Sequence, residues 1–581
     1  GGLMHEFAVW SPDHRRVDLV LDDAVVAMRD AGRGWWRQAV EDAGVGTRYA
    51  FSLDGGPPRP DPRSASQPEG INGPSEVVDH DAFGWTDGRW RGVSLRGAVL
   101  YELHVGTFTP AGTFDALVER LPHLVDLGVD AIELMPVAEF SGSRGWGYDG
   151  VDLFAAHHAY GGPDGLKRLV DACHANGIGV VLDVVYNHLG PAGNFLAEFG
   201  PYFSDGHQTN WGDAVNLDGP GSDEVRRFVI DNALMWLRDY HVDGLRLDAV
   251  HAIVDGSARH LLVDLAAEVD TLATQVGRPL FLIAESDLND PRFVRSRDAG
   301  GYGLDSAWAD EWHHALHACL TDERDGYYQD FGPLASLAKA LRQAWVYDGT
   351  WSPHRQRSHG WSPAGLAGHQ FVVCTQNHDQ TGNRALGERS AALVCEGRLR
   401  VAAALLLTTP FTPMLFQGEE WAASTPFQYF TDHEDPALGL AVSEGRRREF
   451  AHFGWDPETV PDPQAVETFQ RSKLDWTEIE HKPHAGILAW YRELIALRRR
   501  TPALSDPRLT HVDVEVDEAR RCLTVARGTV RILVNLGAEE HGFTGGNGVR
   551  LLAASDPCVR CQSHTIRVPA DAVAIVEDMD A

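Results

Sequence analysis

The feature that most restricts the fold is an alternation that begins near residue 98 and runs to about residue 421. Short apolar runs with strand character recur eight times: AVLYELHVG (98–106), VDAIELMPVAE (129–139), IGVVLDVVYNH (178–188), GLRLDAV (244–250), PLFLIAES (279–286), LDSAWAD (304–310), HQFVVCTQNHD (369–379) and TPMLFQGEEW (412–421). Amphipathic helical patterns such as DGLKRLVDACHANG and SDEVRRFVIDNALMWLRDYH separate them, and AGILAWYRELIALRRR follows the last. Parallel strands need crossover connections, and eight right-handed strand-helix units close into a barrel. The expected class is α/β, a (β/α)8 TIM barrel over residues 91–504 with a Gly-, Pro-, Asn- and Asp-rich loop segment, 189–222, inserted after the third strand.

The flanks have a different texture. Residues 1–90 carry short alternating segments, FAVWSP, VDLVLDD and GTRYAFSLDGG, and then the Pro-rich PPRPDPRSASQPEG. They read as an N-terminal β-sandwich with a wrapping loop. Residues 505–581, with HVDVEVDEARRCLTVARGTVRILVNLG, return to strand patterns and read as a C-terminal β-sandwich.

Composition excludes some partners. The net charge of −32 repels phosphate backbones and anionic lipid, which argues against nucleic acid or a membrane surface as the ligand. The 17 tryptophans and 13 tyrosines offer flat apolar faces with polar edges, as sugar binding uses, although structural aromatics have the same composition. Seven cysteines, an odd and small number, favour a reducing compartment. Cys558 and Cys561 form a lone CVRC without a second pair, so they read as thiols in the terminal domain and not as a zinc site. No apolar run is long enough to span a bilayer, and the start GGLMHEFAVW lacks the basic and apolar regions of a signal peptide, so a cytoplasmic location is expected.

The chemistry is concentrated at strand ends. In GLRLDAVH, Arg246 and Asp248 share one face of a strand while Leu245 and Leu247 take the other. A structural ion pair is one reading of those two charges. In a barrel of this kind, however, the C-terminal strand ends form the active site. The third strand ends there with Asp183, Asn187 and His188, the fourth with Arg246 and Asp248, the fifth with Glu285, and the seventh with His378 and Asp379. Several carboxylates in one partly desolvated mouth repel one another and push their pKa values apart, an arrangement that function tolerates and structure alone avoids. A metal centre is the other reading, but neither HExxH nor HxH spacing supports it. Paired carboxylates suit glycoside hydrolysis, with one ionised nucleophile and one protonated acid, and Asp248 and Glu285 stand on neighbouring strands. Arg246 then has the task of keeping Asp248 ionised and aimed.

DVVYNH, GLRLDAVH, IAES and QNHD stand in the order of the four signature regions of the α-amylase superfamily, glycoside hydrolase family thirteen, which this chain resembles over essentially its whole length. The resemblance implies Asp248 as nucleophile, Glu285 as acid/base and Asp379 as the third carboxylate. It implies a sugar-binding set of Arg246, His188, His251, His378, Trp146 and Tyr148, with Tyr148 stacking beneath the sugar and Asp183 supporting Arg246. The leading β-domain, similar to glycogen-binding modules, and the LYELHVGTFTP opening resemble the subgroup of isoamylases, branching enzymes and trehalose-releasing hydrolases. LMPVAEFSGSRGWGYDG, NHLGPAGNFLAEFGPYF, IAESDLNDPRFV, QNHDQTGNRALGER and GEEWAASTPFQYFTDHEDP point to the trehalose-releasing branch, which implies cleavage of an α-1,4 bond beside a terminal trehalose unit. Debranching, branching and amylase chemistry use the same carboxylates, and a glucan-binding protein without catalysis is the rival from another class.

Leaving-group selectivity needs contacts that grip a disaccharide, and the segment after strand eight, with Glu420, Trp421, Phe427 and Tyr429, is the expected place, with loop packing as the alternative. The charge run GRRREF (445–450) reads as a solvated helix face. No cofactor is expected. Calcium, which many amylases bind through an asparagine at the position of Asn187, is not favoured, because no second cluster of acids follows strand three.

Overall fold

The computed structural model describes residues 4–546 and 548–579, so the opening Gly1-Gly2 of the start segment lies outside them. Eight parallel strands close into the barrel: β1 (Leu100–Leu103), β2 (Ala131–Leu134), β3 (Gly179–Val184), β4 (Gly244–Leu247), β5 (Phe281–Ala284), β6 (Ser306–Trp308), β7 (Phe371–Cys374) and β8 (Thr412–Phe416). β8 pairs in parallel with β1 through Leu415 and Tyr101, which seals the ring. All eight lie inside the segments expected from the alternation.

The helices that matter below are α1 (Leu121–Leu127), α2 (Gly162–Ala175), α3 (Ser222–Arg238), α4 (Leu261–Val276), α5 (Asp310–Thr321), α6 (His378–Gly382), α7 (Glu396–Leu407), α8 (Pro436–His452) and α9 (His484–Arg500). α3 illustrates why these segments are helical. It buries Val225, Phe228, Val229 and Asn232, one 3.6-residue stripe, while Asp223 and Glu224 in its first turn and Arg238 in its last complement the helix dipole.

Strand parity sorts the barrel lumen into layers. Leu100, Ala131, Val181, Phe281, Ile283, Val372, Cys374 and Met414 form an apolar layer with Trp308. Two residues further along β1, β2 and β3 the same face carries Glu102, Glu133 and Asp183, and Arg246 joins them from β4, all four buried. The lumen is therefore hydrophobic below and ionic towards the C-terminal mouth. Gly244 makes room for the lower layer: a Cβ there would sit 2.3 Å from the Phe281 ring.

Before the barrel, a three-stranded sheet (Met4–Trp10, Trp35–Glu41, Arg29–Gly32) accompanies a four-stranded one (Val25–Ala27, Val17–Leu21, Arg48–Leu53, Ser75–Glu76). This domain leans on the segment after β3 through the Trp10–Tyr202 ring contact, and on α3 through Trp35 Nε1 to Glu224 at 3.0 Å. The segment after β3 carries its own two-stranded ribbon, Phe203–Thr209 with Gly212–Val215.

The C-terminal domain has a five-stranded sheet and a three-stranded sheet. Two buried arginines meet where it adjoins the barrel, and the second of them crosses the boundary. Arg498 of α9 donates to the carbonyls of Leu407, Thr409, Leu504 and Phe411. Arg527, from the strand Cys522–Arg527, donates to the carbonyls of Thr408 and Asp506. Between them they satisfy the carbonyls where α7 ends, just before β8.

Candidate active site

Arg246 organises the ionic layer. Its Nη1 donates to Asp183 Oδ1 at 3.0 Å and to Asp248 Oδ1 at 2.8 Å, its Nη2 lies 3.8 Å from Glu285 Oε2, and its guanidinium stacks 4.0 Å above the Trp308 ring. Burial works against the charged guanidinium, but Asp183 and the other acids outweigh it and keep Arg246 protonated. Burial raises Asp183 to about 7 in spite of that cation, with the Asp248 charge adding to the rise. Glu133 is held well above the carboxylate range by burial and by the charges of Glu102 and Asp183, and neither of its oxygens has a hydrogen-bond partner, so it is a neutral acid.

The mouth is built on these supports. β4 ends at Leu247, and Ala249 then adopts φ +40°, a left-handed conformation rare for a residue with a Cβ, which turns its N–H onto Glu285 Oε2 at 2.6 Å. Asn187 Nδ2 donates to Asp248 Oδ2 at 3.1 Å and to its carbonyl at 2.9 Å. Asp248 thus has a guanidinium and an amide as hydrogen-bond donors. Glu285 is different: burial, aided by the charges of Asp248, Asp310 and Asp379 and opposed by Arg246, lifts it to about 8, so it carries a proton at neutral pH.

α6 supplies His378 and Asp379. Glu102 accepts from the backbone N–H of His378 at 2.8 Å and faces its Nδ1 at 2.9 Å. Burial disfavours the charged ring, but Glu102 and Asp379 overcome that and hold His378 up at about 10, an imidazolium. Its Nε2 lies 3.5 Å from Asp379 Oδ2, and Asn383 Nδ2 donates to the other Asp379 oxygen at 3.1 Å. Tyr148 stacks on His378 with centroids 5.1 Å apart and donates its hydroxyl to Asp183 at 2.5 Å. His188 is fixed by the Tyr148 carbonyl, 2.7 Å from its Nε2. Trp146 stands edge-on to His378 at 5.6 Å and against Gly382, where a Cβ would come within 2.2 Å of the indole. Only glycine lets α6 approach that ring so closely.

A cleft of about 610 Å³ opens over this floor, lined by Trp146, Tyr148, His188, Asp248, His251, Glu285, His378 and Asp379 among others. The structure therefore brings together these eight sequence-selected residues and Tyr429, with Arg246 beneath them. It does not bring Glu420 and Trp421, which are fully buried elsewhere. Gly418 (φ +84°) turns the chain back after β8, so that Glu420 accepts from Tyr101 Oη at 2.7 Å and faces His123 Nε2 at 2.9 Å, while Trp421 packs on Trp476. Both belong to the helix layer and not to the mouth. Phe427 is also buried, stacked behind Trp146, whereas Tyr429 does reach the cleft.

GRRREF requires the opposite correction. Arg446 is packed over the Tyr429 and Phe450 rings, donates to the Gly382 carbonyl at 3.0 Å, and lines the cleft together with Gly445 and Glu449. Trp211, Asn383 and His433 line the cleft as well, without a sequence signal that singles them out. Glu102 and Glu133 had a visible signal, a lone acid inside an apolar strand. Val442, Gly445, Arg446 and Glu449 had one too, their 3-1-3 spacing.

Asn187 does not fit a calcium cage, which needs six to eight oxygens. Its Nδ2 is turned to Asp248 and its Oδ1 faces His188 Nδ1. Among the described residues, the one convergence of three metal-capable side chains is Glu139, His157 and His158. There His157 Nδ1 accepts the Ala159 N–H at 3.0 Å, which leaves the ring proton on Nε2, 3.6 Å from Glu139 and pointed at it, while His158 hydrogen-bonds Glu139 through its ring Nδ1 and its backbone N–H.

A closed parallel barrel with acids directly after β4 and β5, and a third acid after β7, has the architecture of the α-amylase type of glycoside hydrolase, and a family model for the α-amylase catalytic domain matches residues 74–210. A second model, described only as a domain of unknown function, matches residues 507–575. A malto-oligosyltrehalose trehalohydrolase from Arthrobacter ramosus is 54% identical over 92% of this chain and 94% of its own, and one from Rhizobium sp. is 49% identical over 98% and 97%. A crystal structure named for α-amylase, from Salmonella typhimurium, superposes with a TM-score of 0.90 at 38% identity, over 99% of this chain and 98% of that one. The chain belongs to the malto-oligosyltrehalose trehalohydrolase family, within the α-amylase superfamily.

Proposed function

We propose that the protein hydrolyses the α-1,4-glucosidic bond next to the terminal trehalose unit of maltooligosyltrehalose, releasing trehalose and a maltooligosaccharide with retained configuration. The observation that carries the chemistry is the contrast between two acids beside one guanidinium: Asp248, hydrogen-bonded by Arg246 and Asn187, and Glu285, protonated at neutrality with its pKa at about 8. The names of the relatives supply the substrate. Asp248 attacks the anomeric carbon while the Glu285 proton passes to the glycosidic oxygen, so that the leaving group departs as an alcohol. The carboxylate of Glu285 then takes a proton from water as that water attacks the β-glycosyl ester, which frees Asp248 and restores the acid. Asp379, backed by Asn383 and the His378 imidazolium, holds hydroxyls of the distorted sugar, and Tyr148 stacks beneath it. Trp146, His188 and His251 complete its walls.

A cytoplasmic location is part of the proposal and is supported by seven free thiols. So is functional coupling to a synthase that forms the trehalose end of the glucan, because that reaction must supply the substrate. The chemistry is tested by product analysis with maltotriosyltrehalose, maltopentaose and amylopectin in parallel. Trehalose released rapidly from the first, with little turnover of the others, is expected. Efficient cleavage of maltopentaose or amylopectin with no trehalose released would move the function to an amylase, debranching or branching activity.

A further inference from the structure

The direction in which the glucan crosses the site follows from the acid. Glu285 must reach the glycosidic oxygen, so the leaving trehalose lies on the side of Glu285, Ala249 and His251. The remaining glucose units are joined to the far side of the bound sugar and must depart past Asp379. Along that edge the cleft is walled by Asn383, Tyr429 and one face of α8: Val442, Gly445, Arg446 and Glu449.

The face does not stop at the cleft. Phe453 lies four residues beyond Glu449, still in near-helical conformation (φ −92°, ψ 12°), and so continues the same stripe about one turn further, about 10 Å along the helix from Arg446. Phe453 is 67% exposed, which leaves its ring free to take a sugar face. The support beneath it is firm, since the adjacent Phe450 is buried against Ala385 and Val460, in the loop after β7 and the segment after α8. We propose that this stripe of α8, from Val442 through Arg446 and Glu449 to Phe453, is the track for the glucose units distal to the cleaved bond, with Phe453 stacking on a sugar face outside the cleft and thereby setting a preference for longer chains. Arg446 faces the track with its position fixed by the Gly382 carbonyl, and Glu449 offers hydroxyl-accepting oxygens. The inference rests on the reaction proposed above and adds which part of the chain is gripped, and where.

The test is the ratio of kcat/KM for a long substrate, maltopentaosyltrehalose, to that for a short one, maltosyltrehalose. The wild-type ratio is expected to exceed one, and Phe453→Ala to lower it about three- to tenfold, the range of one aromatic contact. Glu449→Gln is expected to lower it in the same direction. Leu440→Ala, on another face of α8 and comparably exposed at 60%, is the control and leaves the ratio unchanged. A Phe453→Ala ratio equal to wild type, or a wild-type ratio of one, overturns the track. A wild-type protein that releases no trehalose from either substrate refutes the reaction instead, and the track is then judged by the same ratio measured with maltoheptaose and maltotriose.

Discussion

Replacing Arg246 with leucine removes the guanidinium that touches both Asp183 and Asp248, at 3.0 and 2.8 Å. Breaking a buried ion pair from one side costs about 3–5 kcal/mol when the abandoned acid stays ionised. Asp183 has an escape, because burial already places it at about 7 and loss of the cation moves it higher. Its folded-state pKa lies above the ordinary value of about 3.9, so its contribution to stability is fully present below that value and is lost as pH rises through the folded-state pKa. In the wild type that loss is complete a little above pH 7; in the variant, with the pKa raised further, it continues upward. Below about pH 6 Asp183 is neutral in both proteins, and the deficit from its side shrinks to the lost hydrogen bonds, about 1–2 kcal/mol. Above about pH 7 the deficit widens by up to about 1.4 kcal/mol per pH unit for that single proton. Thermal unfolding midpoints of the two proteins, compared from about pH 6 to about pH 9 at one scan rate, should therefore diverge with rising pH. Turnover should fall about a thousandfold, roughly 4 kcal/mol of transition-state stabilisation, as Asp248 loses its charged partner. A gap between midpoints that is constant, or that narrows with pH, would refute the reasoning.

Three further outcomes follow from the site. With Glu285 at about 8 and needed in its protonated form, kcat/KM should fall as pH rises through about 8, and Glu285→Gln should abolish that limb along with at least a thousandfold of rate, about 4 kcal/mol; a profile flat to about pH 10 would contradict the assignment of the acid. Gly382→Ala forces a Cβ to within 2.2 Å of Trp146 and should lower kcat/KM about tenfold by displacing α6 with Asp379, read by kinetics beside an unchanged circular dichroism spectrum. Trp421→Ala should lower stability by about 3–5 kcal/mol while leaving KM of the folded enzyme within about twofold, since the ring packs on Trp476 and not on substrate; a raised KM with an unchanged unfolding midpoint would reverse that placement.

The barrel was legible because its strands are buried on both faces and its helices on one, which writes two different periods into the sequence. The meeting of Asp183, Arg246, Asp248 and Glu285 was legible for a related reason: parity and strand order fix which side chains share the lumen. The same rule misled at Glu420 and Trp421. They follow a strand end in sequence, but a left-handed Gly418 and a tight turn carry them behind the barrel wall. Arg446 was misread because a run of arginines is usually solvated, and only the α8 stripe reveals that one of them faces inward. Glu133 marks the limit of such reading, since its neutrality depends on the two acids that adjoin it in space, on β1 and β3.

The two arginines at the end of α7 bear on how the chain can be cut. Arg498 and Arg527 reach the same short stretch of carbonyls, Leu407 to Thr409, from a barrel helix and from the terminal sandwich. The change of texture near residue 505 is thus a change of local architecture and not a perforation. A truncation there would strip a cation from the last turn of α7 and loosen the entry to β8, which is the closing stave of the ring. The terminal sandwich behaves as a brace on the α7 and α9 side of the barrel and not as cargo attached to it, and a catalytic fragment ending at that boundary would lack its brace.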